Sequence, residues 1–185
     1  MENITFYLTL TSGLFVAAAS GLIGSFLVLR KMTLISDALS HVALPGIALG
    51  VIFNFEPIIG GFVFLLIAAL LIWGIETKTK LAVESITGVL FVTALAIGTL
   101  LLPEHEILEA FFGNVENISP LKIIMQTGIA ILIIVLTLKH LRPLILTSIA
   151  PELAPPAKIS RKKTQLLLMT LITLTITIGI SFVGI

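Results

Sequence analysis

Apolar residues run almost unbroken along this chain, so the places where they stop carry most of the information. Six stretches lie at roughly 5–29, 33–53, 57–75, 81–102, 121–138 and 166–185. Each is long enough, or nearly so, to cross ~30 Å of hydrocarbon at about 1.5 Å of rise per helical residue. The pattern predicts an all-α fold, a polytopic transmembrane helical bundle of about six spanning helices. Connectors are short except at 103–120 and 139–165, and none has the composition of an interdomain linker, so residues 1–185 read as a single transmembrane domain. The first apolar run starts near Ile4 behind Glu2, without a basic leader or a small-residue cleavage site, and reads as the first span rather than a removable signal.

Small and hydroxyl residues inside the runs predict how the spans pack. Gly13, Ala17, Gly21 and Ser25 recur every four residues and form a ridge that another helix can approach closely. Gly46 and Gly50 make a second, shorter ridge. In the last run Thr170, Thr173, Thr177 and Ser181 share one face. That face serves either for hydrogen bonds between helices or as a polar stripe along a pathway.

Composition agrees with the pattern. The 185 residues are 57% hydrophobic and only 11% charged, against about 25% charged in ordinary soluble domains. Folded in water, such a chain exposes large apolar patches; in lipid the same composition is expected. The absence of cysteine excludes disulfides, thiolate zinc sites and iron–sulfur clusters.

The net charge of +1 matters less than where the charges fall. Arg30 and Lys31 follow the first run, Lys78 and Lys80 the third, and Lys139, Arg142, Lys158, Arg161, Lys162 and Lys163 the fifth. The alternate connectors hold Glu2, Glu56, Glu104, Glu106, Glu109 and Glu116, with Lys122 the exception. The positive-inside rule then sets the N-terminus outside and the three basic connectors in the cytoplasm.

One pair of residues stands out. Asp37 and His41 lie four apart in the second run and so share a helix face. An ionisable residue at the centre of a span costs about 2.5–3.5 kcal/mol on insertion scales, so such residues usually face a bundle interior or a wet cavity. Carboxylate oxygen with imidazole nitrogen suits a divalent cation such as Zn²⁺, Mn²⁺ or Fe²⁺. Pro45 lacks an N–H, which deprives the carbonyl of His41 of its helical donor and predicts a second oxygen beside the imidazole. The residues leave three readings open: a metal site, a proton relay, or a satisfied pair in which Asp37 meets Arg30 or Lys31 near the cytoplasmic end.

Other candidates are weaker. His105 and Glu109, also four apart, fit a solvated acidic loop better than a cation vestibule. Glu84, beside Ser85, opens the fourth span, where an acid complements the helix dipole. Neither a P-loop nor an H-E-x-x-H pattern occurs, so ATP binding through a P-loop and zincin-type proteolysis are not expected. The basic residues around Arg161 fit topology or anionic lipid rather than nucleic acid. In the long inner connector a short helix is predicted to begin at Pro151 and stop before Pro155 and Pro156. It is either a docking element under the membrane or a plain surface loop.

Several motifs resemble the membrane permease subunit of zinc/manganese-type ABC transporters. They are Leu29-Arg30-Lys31-Met32, Ser36-Asp37-Ala38-Leu39-Ser40-His41, Leu44-Pro45-Gly46-Ile47-Ala48-Leu49, Glu84 to Phe91, Phe112-Gly113-Asn114-Val115 with Ile118-Ser119-Pro120, and Pro151-Glu152-Leu153-Ala154. The resemblance covers nearly the whole chain. It implies transport of zinc or manganese across the cell membrane, with Asp37 and His41 lining the metal path and no enzymatic activity in this chain. It further implies three partners: a cytoplasmic ATPase coupled through the segment around Pro151, Glu152, Leu153 and Ala154, an extracytoplasmic metal-binding protein, and a second permease copy. The pattern departs from the family at Ala150, where an Asp is usual, and at Pro155 to Lys158, where a Gly is usual. The family also continues with further hydrophobic segments, so a C-terminally incomplete permease is expected. The alternatives are an ion- or proton-coupled carrier built on the same acid and histidine, or a non-transporting remnant.

Overall fold

The computed structural model describes residues 2–79, 81–101 and 120–183. Among them lie eight helices: α1 (Glu2–Leu29), α2 (Thr33–Val42), α3 (Leu44–Ile52), α4 (Pro57–Lys78), α5 (Val83–Leu101), α6 (Pro120–Lys139), α7 (Leu141–Ile149) and α8 (Arg161–Val183). A 3-10 turn over Pro151–Leu153 separates α7 from α8. Six segments are apolar and long enough to span a membrane: Phe6–Leu29, Ile35–Ile52, Pro57–Lys78, Val83–Leu101, Leu121–Lys139 and Arg161–Phe182. The all-α, six-span bundle is therefore present, in a multi-pass membrane protein.

Three boundaries differ from expectation. The second span is two helices, α2 and α3, joined at Ala43. Pro45 sits in the first turn of α3, where its missing N–H is harmless. The third span runs on to Lys78, which brings Glu76 onto helix α4. The last begins at Arg161, five residues earlier than its apolar run, because Ser160 caps it: the Ser160 hydroxyl accepts the N–H of Lys163 at 3.5 Å.

Helix α8 lies against α1, α4 and α6, and its buried face includes Leu168, Met169, Leu171 and Ile172. Helix α3 packs on α4 and α5. The α3–α4 contact is backbone to backbone: a Cβ added to Gly46 would lie 2.2 Å from the Gly60 carbonyl oxygen, and one on Gly50 would lie 2.6 Å from Pro57 Cα. The short glycine ridge thus packs as expected. The longer one does not. Helix α1 buries Ser12, Val16, Ala19, Ile23 and Phe26 instead; of the two ridge glycines, Gly13 has Phe182 3.3 Å from an added Cβ and Gly21 has nothing within 4 Å.

Two helix ends and one connector turn close in the same way. After α1, the amide of Met32 donates to the Leu27 carbonyl and that of Lys31 to Val28. After α3, Phe55 donates to Gly50 and Asn54 to Val51. In the inner connector, Ile159 donates to Ala154 and Lys158 to Pro155. This is the Schellman arrangement, whose penultimate residue takes left-handed backbone. Lys31, Asn54 and Lys158 occupy those positions at φ 59°, 55° and 57°. The first turn is sealed by burial of Leu27 and Met32.

Candidate functional site

Helix α2 carries the acid and the histidine on one face, beside α5. Asp37 is exposed, and His41 is half-buried with its ring edge-on to Phe91 of α5, centroids 5.4 Å apart. Asp37 stands four residues into α2, which begins at Thr33, and His41 one turn further along. On the orientation the charges give, the pair lies in the cytoplasmic half of the broken span, on α2 rather than α3. Among the described residues no third His, Cys, Asp or Glu joins them in a cluster able to hold a metal ion.

The carbonyl of His41 is not left open by Pro45. A backbone N–H of the capping turn donates to it, because the chain tightens to a 3-10 geometry at the α2–α3 junction. The ligand atoms offered here are thus side-chain atoms. Behind them the junction is fixed, with Ala43 and Leu44 fully buried and Leu44 Cβ 2.7 Å from where a Cβ on Gly98 of α5 would stand.

Arg30 does not meet Asp37. Its Nε donates to Ser148 Oγ and its Nη2 to Thr147 Oγ1, each at 3.0 Å. Those hydroxyls give their own protons to the backbone of α7, Ser148 to the Leu144 carbonyl at 2.6 Å and Thr147 to that of Pro143 at 2.8 Å. Their lone pairs are thereby turned toward the guanidinium. Burial lowers the pKa of Arg30 from its ordinary value; Glu76 opposes that fall and Arg161 adds to it. Close by, Gln165 Nε2 of α8 donates to Glu76 Oε2 of α4, and the Trp73 indole donates to the Lys162 carbonyl at 3.3 Å. A polar cluster thus ties the inner ends of α1, α4, α7 and α8. Glu76, Gln165, Thr147 and Ser148 were missed in the sequence, because Glu76 falls one residue past the apolar run at 57–75 and the other three are uncharged.

The segment Pro151, Glu152, Leu153 and Ala154 follows directly. It is a short 3-10 helix that starts at Pro151 and stops before Pro155, as expected. Ala154 is fully buried and anchors it, while Glu152 and Leu153 are exposed. Ala150 gives the turn no side-chain cap.

The remaining candidates resolve simply. The hydroxyls of Thr170, Thr173 and Thr177 donate to carbonyls four residues back in their own helix at 2.8–2.9 Å, so their protons are satisfied within α8. Only Ser181 is engaged across helices, accepting Gln126 Nε2 of α6 at 2.6 Å. Lys122, the basic exception among the outer charges, pairs with Glu56 at 2.7 Å. Glu84 is exposed in the first turn of α5. His105, Glu109 and the motif residues from Phe112 to Ser119 lie outside the described residues.

Comparison with known proteins agrees on one family. Residues 4–185 match the profile of the ABC 3 transport family. The manganese import system permease protein ScaB of Streptococcus parasanguinis is 31% identical over 95% of this chain and 64% of its own length. The high-affinity zinc uptake system membrane protein ZnuB of Haemophilus influenzae is 31% identical over 95% of this chain and 69% of its own. The solved structure of PsaBC from Streptococcus pneumoniae in complex with a Fab superposes with a TM-score of 0.78 at 29% identity, over 95% of this chain and 65% of the solved one. This chain therefore spans about two thirds of the length of the proteins it matches.

Proposed function

The chain belongs to the ABC 3 transport family, and on that premise we propose that it serves as the membrane permease of an ATP-driven importer for zinc or manganese. The relatives named for manganese import and zinc uptake support this cargo class. The observation that carries the reading is that Asp37 and His41 share one face of α2, the half of the broken span before Ala43, exposed and half-buried respectively. A carboxylate turned to lipid there is unfavourable. Water or a second protein surface over this face removes the difficulty, and a second copy of the chain supplies both a cover and a second Asp and His. Two ligands per copy make four, which suits a divalent ion that binds and leaves again.

The exposed Glu152 and Leu153, held by buried Ala154, are the proposed contact for a cytoplasmic ATPase, since this chain has no P-loop. A metal-binding protein outside would deliver the ion. The test is metal uptake by the chain reconstituted with its ATPase and binding protein. Asp37→Ala and His41→Ala are each expected to abolish uptake, a loss of about 100-fold or more if an ion–ligand contact is removed outright, while the assembled complex survives. Wild-type uptake in either variant sinks the site assignment.

A further inference from the structure

Arg30 occupies a position that neither topology nor the metal pair explains. It is the last residue before the left-handed Lys31 in the turn that leads into α2, only three residues ahead of Thr33, where that helix starts. Its guanidinium is simultaneously fastened to Thr147 and Ser148, on the final turn of α7 and three residues short of Pro151. A short physical route therefore runs from the base of the metal-bearing helix, through the Arg30 fork, into the segment that ends at buried Ala154.

We propose that Arg30 is a positioning residue that mechanically links α2, with Asp37 and His41, to the ATPase-facing segment after α7. The inference rests on the importer reading given above. Three features support a link rather than mere anchorage of surplus charge. First, the fork is directional: two different nitrogens meet two adjacent hydroxyls, and both hydroxyls are pre-oriented by their own backbone bonds. An ammonium cannot reproduce this planar geometry. Second, Thr147 is buried and Arg30 half-buried, so solvent does not compete freely for the contacts. Third, Glu76, whose charge acts on Arg30, accepts its hydrogen bond from Gln165, while the hydrogen bonds of Arg30 go to α7. Displacement of α7 and the following turn by a partner below the membrane would move the Arg30–Lys31–Met32 turn with it. The sealed Leu27–Met32 contact would carry that displacement to the start of α2.

The test uses the reconstituted complex of the full chain with its ATPase and binding protein, comparing Arg30→Met, Arg30→Lys and the paired Thr147→Val/Ser148→Ala change. The readout is the ratio of manganese or zinc transported to ATP hydrolysed, with complex yield followed alongside. Arg30→Met and the paired hydroxyl variant are each expected to lower that ratio about tenfold, with ATP hydrolysis retained. Arg30→Lys, which keeps the charge and loses the fork, should fall with them. Three results overturn the link. One is a wild-type ratio in Arg30→Met. Another is full rescue by Lys, which would make the role one of charge alone. The third is a parallel fall of complex yield, hydrolysis and uptake in the hydroxyl variant, the mark of a purely structural contact. A wild-type complex that neither transports nor hydrolyses ATP in response to metal overturns the importer reading itself and takes the link with it. An active wild type beside an unaffected Arg30→Met refutes only the link.

Discussion

Two ridges of small residues run along this chain with the same four-residue spacing, and they meet opposite fates. On α3, Gly46 and Gly50 lie against the backbone of α4, close enough that no side-chain carbon fits between Gly46 and Gly60. On α1, Ala17, Gly21 and Ser25 are exposed, and an added Cβ on Gly21 would meet nothing within 4 Å. Spacing makes close approach permissible; it does not supply a partner. What distinguishes α3 is a second glycine pair, Gly60 and Gly61, in the first turns of the helix that follows it across a tight turn. Because the lipid offers no hydrophobic drive toward helix association, the pairing depends on that backbone contact. It also fixes the second half of the broken span, α3, so that the polar pair is carried by α2 alone.

The sharpest way to break this contrast is Gly60→Ala. Its Cβ would stand 2.1 Å from the Gly46 carbonyl oxygen, and backbone cannot rotate away as a side chain can. Overpacking commonly costs 1–3 kcal/mol, and here it should reach about 3 kcal/mol or exceed it. The expected outcome is a large fall in the apparent unfolding temperature in detergent, with poor membrane yield. A Gly60→Ala protein as stable as the parent would mean that α3 and α4 are not in backbone contact.

The opposite arm is Gly21→Ala. With no neighbour to collide with, the substitution should gain about 0.5–1 kcal/mol from helix propensity. The unfolding midpoint should hold or rise slightly. A loss comparable to that of Gly60→Ala would mean that the α1 ridge is covered after all, and the comparison between the two ridges would fail.

Much of the architecture was legible because lipid makes the chain declare itself. The six apolar runs and the short glycine ridge of α3 correspond to structure. The candidate pair was legible too, since Asp37 and His41 are conspicuous in an apolar stretch. What the sequence hid are relations between distant positions. Nothing local to Arg30 indicates hydroxyls 117 and 118 residues away. The Thr170–Thr177 face looked available to other helices, yet a threonine in a helix can reach back to its own carbonyl, and that nearer acceptor won. The open carbonyl expected at His41 failed for the same reason: a tightened turn satisfied it locally.

A third case completes the glycine comparison: a position where the backbone favours glycine and the chain has none. Lys158 holds φ 57° at the left-handed position of the turn that follows Pro151–Ala154. Left-handed backbone costs an L-residue about 1–2 kcal/mol, and glycine's larger loss of freedom on folding returns roughly 0.5–1 kcal/mol of that. Lys158→Gly should therefore stabilise the turn by a net ~0.5 kcal/mol, about a twofold change in a local opening equilibrium. The amide of Ile159 reports it, since its 2.9 Å bond to the Ala154 carbonyl exists only while the turn is closed. Its hydrogen exchange should slow about twofold in Lys158→Gly. Faster exchange would mean that the lysine side chain contributes a contact outweighing the strain. The left-handed position would then be no substitute for glycine, unlike Gly46 and Gly60, where an absent side chain is the whole of the interaction.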